Sequence, residues 1–107
     1  MEHEQAVKCL SELGNSTRLS VYRLLVRAGP EGMTVGDIQR RLDVPASTLS
    51  HHIAHLVWAG LIDQNREGRM LHCQTKEGVM DDLIKFLSAE CCVGFDESGQ
   101  TIEDTGA

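Results

Sequence analysis

Aromatic side chains are scarce in this chain: one Trp, one Tyr and two Phe, 4% of 107 residues. Its core must therefore be packed mostly from aliphatic side chains. Long apolar runs are missing as well, since no stretch approaches the ~18 residues that a bilayer-spanning helix needs. The N-terminus, Met1-Glu-His-Glu-Gln, lacks the basic-then-apolar pattern of a secretory signal, so a cytoplasmic protein is expected. In that compartment the four cysteines are expected as thiols, not as a disulfide framework. Only two prolines occur, no Pro-rich linker is present, and no segment repeats another. Catalytic signatures are missing too. There is no G-x-S-x-G, no P-loop, no G-x-G-x-x-G, and no nucleophile paired with a base. Neither an enzyme nor a required cofactor is expected.

What is present suits one globular domain: 41% apolar and 24% charged residues. The net charge of -6 argues at first against a nucleic-acid partner. Its distribution changes that reading. Glu90, Asp96, Glu97, Glu103 and Asp104 crowd residues 90–107 with no base among them. Between residues 15 and 76, Arg18, Arg23, Arg27, Arg40, Arg41, Arg66, Arg69 and Lys76 outnumber the acids by three. A basic body with an acidic tail is compatible with DNA, though on charge alone ordinary solvation is the plainer reading. Residues 93–107, rich in Gly, Ser, Thr, Asp and Glu, are expected to form a flexible tail after a folded domain at 1–92.

Apolar spacing then orders the elements. Val7, Leu10 and Leu13 recur three apart and predict a helix over 3–13 that ends at Gly14. Asn15 or Ser16 can cap a second helix over Thr17 to Ala28, apolar on nearly every face and hence expected at the centre of the core. Gly29-Pro30 stops it. Thr34-Val-Gly-Asp37 has the pattern of a capping box and opens a short helix over 34–42. Asp43-Val44-Pro45 is a turn, and a fourth helix follows at 46–59 with Leu49, Ile53, Leu56 and Val57 as its stripe. The period then becomes two. Leu61–Glu67 and Met70–Thr75 flank Gly68-Arg69 as a β-hairpin. A last helix is expected over 78–92 with two apolar stripes, Val79/Leu83/Phe86 and Met80/Ile84/Leu87/Cys91. The second stripe calls for another surface, most simply a second chain. The order α-α-α-α-β-β-α is mainly helical with a β-hairpin wing, a winged helix-turn-helix.

Ser47, Thr48, Ser50, His51 and His52 occupy the start of the fourth helix, opposite its apolar stripe. Small hydroxyls and imidazoles there can reach base edges or phosphates in a major groove. Capping and solvation are the plainer roles for the same side chains. His55, nearer the helix end, is expected to pack. Gln39, Arg40 and Arg41 are candidate phosphate contacts, and Arg66 and Arg69 flank the wing tip, where backbone or minor-groove contact is possible. His51 and His55, four apart, are spaced to share a zinc ion. His52 stands where an H-E-x-x-H protease needs its Glu, and the sequence indicates no third ligand.

Three stretches resemble the ArsR/SmtB family of bacterial winged-helix repressors: Leu13-Gly-Asn-Ser-Thr-Arg-Leu19, Leu42-Asp-Val-Pro-Ala-Ser-Thr-Leu-Ser-His-His-Ile53 and Leu56-Val-Trp-Ala-Gly-Leu-Ile62, with Gly68-Arg69 at the wing tip. The resemblance covers about residues 5–92. It implies a homodimer through the first and last helices, bound to an inverted-repeat operator and released by an inducer. The thiols of the family's classical metal sensors are absent: the matching residues are Thr34-Val-Gly-Asp37. No His lies beyond His72 to serve as a last-helix zinc ligand. Cys91-Cys92 resembles the adjacent pair of an arsenite-responsive branch, which carries a third Cys about where Ser98 stands. Cys9 from the partner's first helix is one way to complete a site for As(III) or Sb(III). Thiol sensing of oxidants or reactive sulfur is the alternative, and Cys91 as a plain small hydrophobe is another. Cys73 is expected to be buried and inert. A winged-helix protein–protein adaptor without DNA is the rival class, and salt-dependent DNA affinity separates it from a repressor.

Overall fold

A computed structural model describes residues 1–95; residues 96–107, including Ser98 and most of the expected acidic tail, lie outside it. Five helices and a three-stranded sheet follow one another as α1 (His3–Leu13), α2 (Ser16–Ala28), a 3-10 turn (Gly29–Glu31), β1 (Met33–Thr34), α3 (Val35–Leu42), α4 (Ala46–Trp58), β2 (Ile62–Glu67), β3 (Met70–Thr75) and α5 (Val79–Ser88). Among the described residues, no helix is long and apolar enough to cross a membrane.

Local chemistry sets most boundaries. The Asn15 side chain accepts a hydrogen bond from the Arg18 N–H at 3.0 Å, capping α2. Thr34 does the same for the Asp37 N–H at 3.1 Å and opens α3. The return half of the capping box is not formed: the Asp37 carboxylate pairs with Arg40 instead. Asp43, left-handed at φ 52°, closes α3 and leads into α4. In the hairpin, Glu67 faces Met70, leaving a two-residue turn with Gly68 at φ 63°. A positive φ in the first central position matches strand twist and suits Gly.

The core is aliphatic, as the scarcity of aromatics requires. Val21 and Leu25 of α2, Ile38 of α3, Leu49, Ile53 and Leu56 of α4, and Leu61 and Ile62 at the start of the wing are fully buried together.

Four expectations are corrected. β1 was not visible in the sequence: Met33 and Thr34 pair antiparallel with Cys73 and His72, making the strand order β1-β3-β2. Helix α2 is central, yet Leu19 and Val26 are 44% and 53% exposed, because only the Val21/Tyr22/Leu25 face meets the core. In α1 the buried face is Ala6, Cys9 and Glu12, while Val7 and Leu10 point outward. Small residues allow α1 to lie close to the end of α4, where the Gln5 amide donates to the Ala59 carbonyl at 2.9 Å. Finally, α5 ends at Ser88. Its hydroxyl donates to the Ile84 carbonyl, Ala89 turns extended, and Glu90 and Cys92 are left-handed at φ 60° and 64°. Cys91 and Cys92 thus lie in a turn beyond the helix, not on its second stripe.

Candidate nucleic-acid interface

Helix α4 presents two faces. Leu49, Ile53 and Leu56 are buried at 1% exposure or less, and Ser47, Thr48, Ser50 and His51 lie exposed on the first turns. The N-cap position is Pro45, whose ring offers no cap, and among the described residues no side chain satisfies the first N–H groups. Ser47 and Thr48 are therefore not spent on capping, and the positive end of the helix dipole stays open to an anion. Gln39 is half-buried on α3 and Arg40 is exposed there, its guanidinium held by Asp37. Arg41 is exposed and flanks, with Arg27 and Arg40, a groove floored by Leu24, Ala28 and Met33. Arg66 and Arg69 are exposed on the wing, Arg66 opposite Leu71 and Arg69 in the turn itself.

The histidines of α4 are tied to the N-terminal helices. Half-buried His52 accepts at Nδ1 from the Arg18 guanidinium, 3.3 Å away. Because Arg donates only, the neutral ring carries its hydrogen on Nε2 and offers a donor there. Burial, then the Arg18, His51 and His55 charges, hold the His52 pKa below its ordinary value. His55 packs, as its place near the helix end suggested. Its Nδ1 sits 2.6 Å from Glu12 Oε2, and its Nε2 sits 3.1 Å from His51 Nε2. Glu12 is 8% exposed and also lies 3.4 Å from Arg18 Nε. Sequence reasoning missed Glu12, because an acid at the end of an amphipathic helix reads as solvated. The available signal was its position three residues after Cys9 and six after Ala6, on the face that α1 buries.

The thiols divide into two environments. Cys9 is fully buried in its own chain, its Sγ donating toward the Ala59 carbonyl at 3.6 Å, and burial pushes its pKa up. Cys73 is buried as expected, and burial raises its pKa to about 11. Cys91 and Cys92 are exposed with their Sγ atoms 3.4 Å apart. The pair is brought together, and Cys9 is turned into the core away from any surface a partner could reach. Among the described residues no group of three His, Cys, Asp or Glu side chains converges on a metal position.

A helix-turn-helix domain family matches residues 13–65. The protein of Halobacterium salinarum named as an arsenical resistance operon repressor, ArsR, is 38% identical over 72 residues, 67% of this chain and 55% of that protein. The chain thus spans about half the length of that relative. The helix-turn-helix-type transcriptional regulator MJ1325 of Methanocaldococcus jannaschii is 34% identical over 86 residues, 80% of this chain and 94% of that protein. The crystal structure of an ArsR-family transcriptional regulator superposes with a TM-score of 0.71 at 25% identity, covering 82% of this chain and 88% of the other. A short helix, a tight turn, a second helix with an open polar face and an antiparallel wing define a DNA-binding transcriptional regulator of the winged helix-turn-helix class. The chain belongs to the ArsR/SmtB family of winged-helix regulators.

Proposed function

We propose that the chain is a homodimeric repressor of an inverted-repeat operator, released by an inducer at Cys91 and Cys92. The observation that carries the DNA part is the uncapped, exposed N-terminal face of α4 lying opposite a buried apolar stripe. Ser47, Thr48, Ser50, His51 and His52 read the major groove, with the His52 Nε2–H as a donor to a base acceptor. Gln39 and Arg40 contact phosphates, Arg40 by exchanging Asp37 for the DNA backbone. Arg66 and Arg69 hold the flanking backbone through the wing. The dimer forms through α1 and α5, whose Val7, Leu10, Ile84 and Leu87 are between 44% and 57% exposed in the single chain.

As(III) or Sb(III) is the inducer this reading favours, because soft ions take thiolates and two thiols stand 3.4 Å apart. Arsenous acid condenses with both: each thiol gives its proton to a departing hydroxide, two As–S bonds form, two waters leave, and one hydroxyl stays on arsenic. Such a two-sulfur site needs neither Cys9, buried in its own chain, nor a third cysteine. Exposed adjacent thiols also suit the second reading, sensing of oxidants or reactive sulfur. An inducer shifts the dimer between DNA-competent and incompetent geometries, and a differential affinity of about a hundredfold, ~2.7 kcal/mol, is enough for derepression.

Fluorescence anisotropy of the reduced protein on a duplex from its own upstream region, titrated with arsenite, tests this. Tight binding is expected, with a log–log salt slope of about -0.9 for each phosphate neutralised, released by arsenite and weakened strongly in Ser50→Ala/His51→Ala. Binding indifferent to arsenite moves the inducer to oxidants or sulfur species. Absence of binding to a random duplex at low salt, where even non-specific contacts register, favours the adaptor class.

A further inference from the structure

We infer that His51 and His55 form a binding site for a divalent transition-metal ion of the zinc class, with Glu12 orienting the site from behind. The two imidazoles stand one turn apart on α4 with their Nε2 atoms 3.1 Å from each other. Two nitrogens on one tetrahedral zinc ion, each at about 2.0–2.1 Å, are about 3.3 Å apart. The separation of the two nitrogens is thus within a few tenths of an ångström of what one ion requires; the rings must rotate about their side-chain bonds to turn both lone pairs onto the ion.

The hydrogen positions follow from the partners. Glu12 Oε2, 2.6 Å from His55 Nδ1, is a carboxylate oxygen and accepts, so His55 carries its hydrogen on Nδ1 and keeps a lone pair on Nε2. Carboxylate, imidazole and metal in that order is how proteins commonly fix a histidine ligand and raise its basicity. In the structure the lone pair takes a hydrogen from His51 Nε2. An ion takes that hydrogen's place once the His51 proton sits on Nδ1, and both rings stay neutral. Glu12 is no swinging surface acid: it is 8% exposed and paired with Arg18, whose charge it balances beside the site.

Around the rings, Ala54 and Trp58 border an open groove of about 400 Å³. No third side-chain ligand is among the described residues, and water can complete the coordination. Two imidazole nitrogens suit zinc, copper or nickel; calcium and magnesium want oxygen, and arsenite wants thiolate. The site is therefore chemically distinct from Cys91 and Cys92. On the proposed DNA reading, on which this consequence alone rests, an ion that holds His51 Nε2 takes it from the groove, and metal and operator compete for α4.

The test uses the full chain carrying Cys91→Ser and Cys92→Ser, which removes the exposed thiols from metal binding. CoCl2 and then ZnCl2 are titrated without DNA. One ion per chain is expected, with visible absorption of nitrogen and oxygen ligands and no sulfur charge-transfer band. His51→Ala weakens binding at least tenfold, and Glu12→Gln weakens it by about 10–100-fold. Removing the Glu12 charge risks unfolding, so exposed His51→Ala carries the decision, with circular dichroism confirming its fold. Undiminished affinity in His51→Ala, or no saturable binding in the parent, overturns the site. With a duplex present, zinc is expected to release DNA from the parent but not from His55→Ala; a zinc-loaded parent that holds DNA unchanged overturns the competition. The metal titration contains no DNA, so failure of the DNA reading and failure of the metal site are seen separately.

Discussion

Single residues carry two predictions. Burial sorts the four thiols: Cys73 is pushed up to about 11, Cys9 is raised as well, and Cys91 and Cys92 are exposed. A thiolate-directed reagent is expected to modify two cysteines per folded chain quickly and the other two only after denaturation; mass spectrometry of digested protein locates them. Fast labelling of Cys9 would show that α1 leaves the core readily. The second concerns His52, whose folded pKa lies below 6.5 through burial and the neighbouring Arg18, His51 and His55. As pH falls through 6.5, the unfolded chain takes up the proton first. Its contribution to stability is therefore complete above about 6.5 and is lost as pH falls toward the folded value. Urea midpoints should drop between pH 7.5 and 5.5, and drop less in His52→Gln. At this scale the sequence was legible where a residue type has one habit, as with buried Cys73 and exposed Ser47. Glu12 was missed, because its burial depends on Arg18 and His55 from two other helices and its spacing from Ala6 and Cys9 marks a buried face only once that face is known.

Elements show where local signals end. Capping by Asn15 and Thr34 and the stops at Gly14, Gly29 and Asp43 were all readable, since each acts within a few residues. Strand β1 was not, because two residues have no period and Met33–Thr34 become a strand only by finding β3. Gly32 enforces that approach: at φ 67° its backbone passes so close that an added Cβ would lie 2.0 Å from the Cys73 carbonyl oxygen. Gly32→Ala is expected to lose more than about 1 kcal/mol, from the positive φ together with the displaced strand, measured by urea unfolding. Gly68→Ala at the wing tip meets no atoms and strains φ alone, so it should cost less. Helix α5 stops at Ser88 because a hydroxyl back-bond and two left-handed residues outweigh a continuing apolar pattern.

For the whole molecule, the question is what covers the apolar faces of α1 and α5. The two helices pack on each other, with His3 and Phe86 ring centroids 6.2 Å apart. Val7 and Leu10 on one and Ile84 and Leu87 on the other remain exposed. Lone apolar residues at a surface are ordinary, but two such faces on neighbouring helices make a patch that a second copy can bury. Leu87→Asp is expected to turn the proposed dimer into a folded monomer by sedimentation while weakening binding to the proposed inverted-repeat operator by tenfold or more, because two linked half-sites would become one. A wild-type chain that sediments as a monomer at micromolar concentration would refute the dimer.

The first four helices, the hairpin and the two-faced α4 were determined by the sequence alone, because apolar period, caps and turn residues act between neighbours along the chain. Which face α1 and α2 turn inward was decided only by tertiary structure. Val7 and Leu10 looked like the buried side of α1, yet the fold buries Ala6, Cys9 and Glu12. Close approach to the end of α4 favours small side chains, and a carboxylate can be buried where an arginine and a histidine meet it. The same packing brought Glu12 of α1 to His55 of α4, 43 residues on in the sequence, a separation over which no local pattern reports.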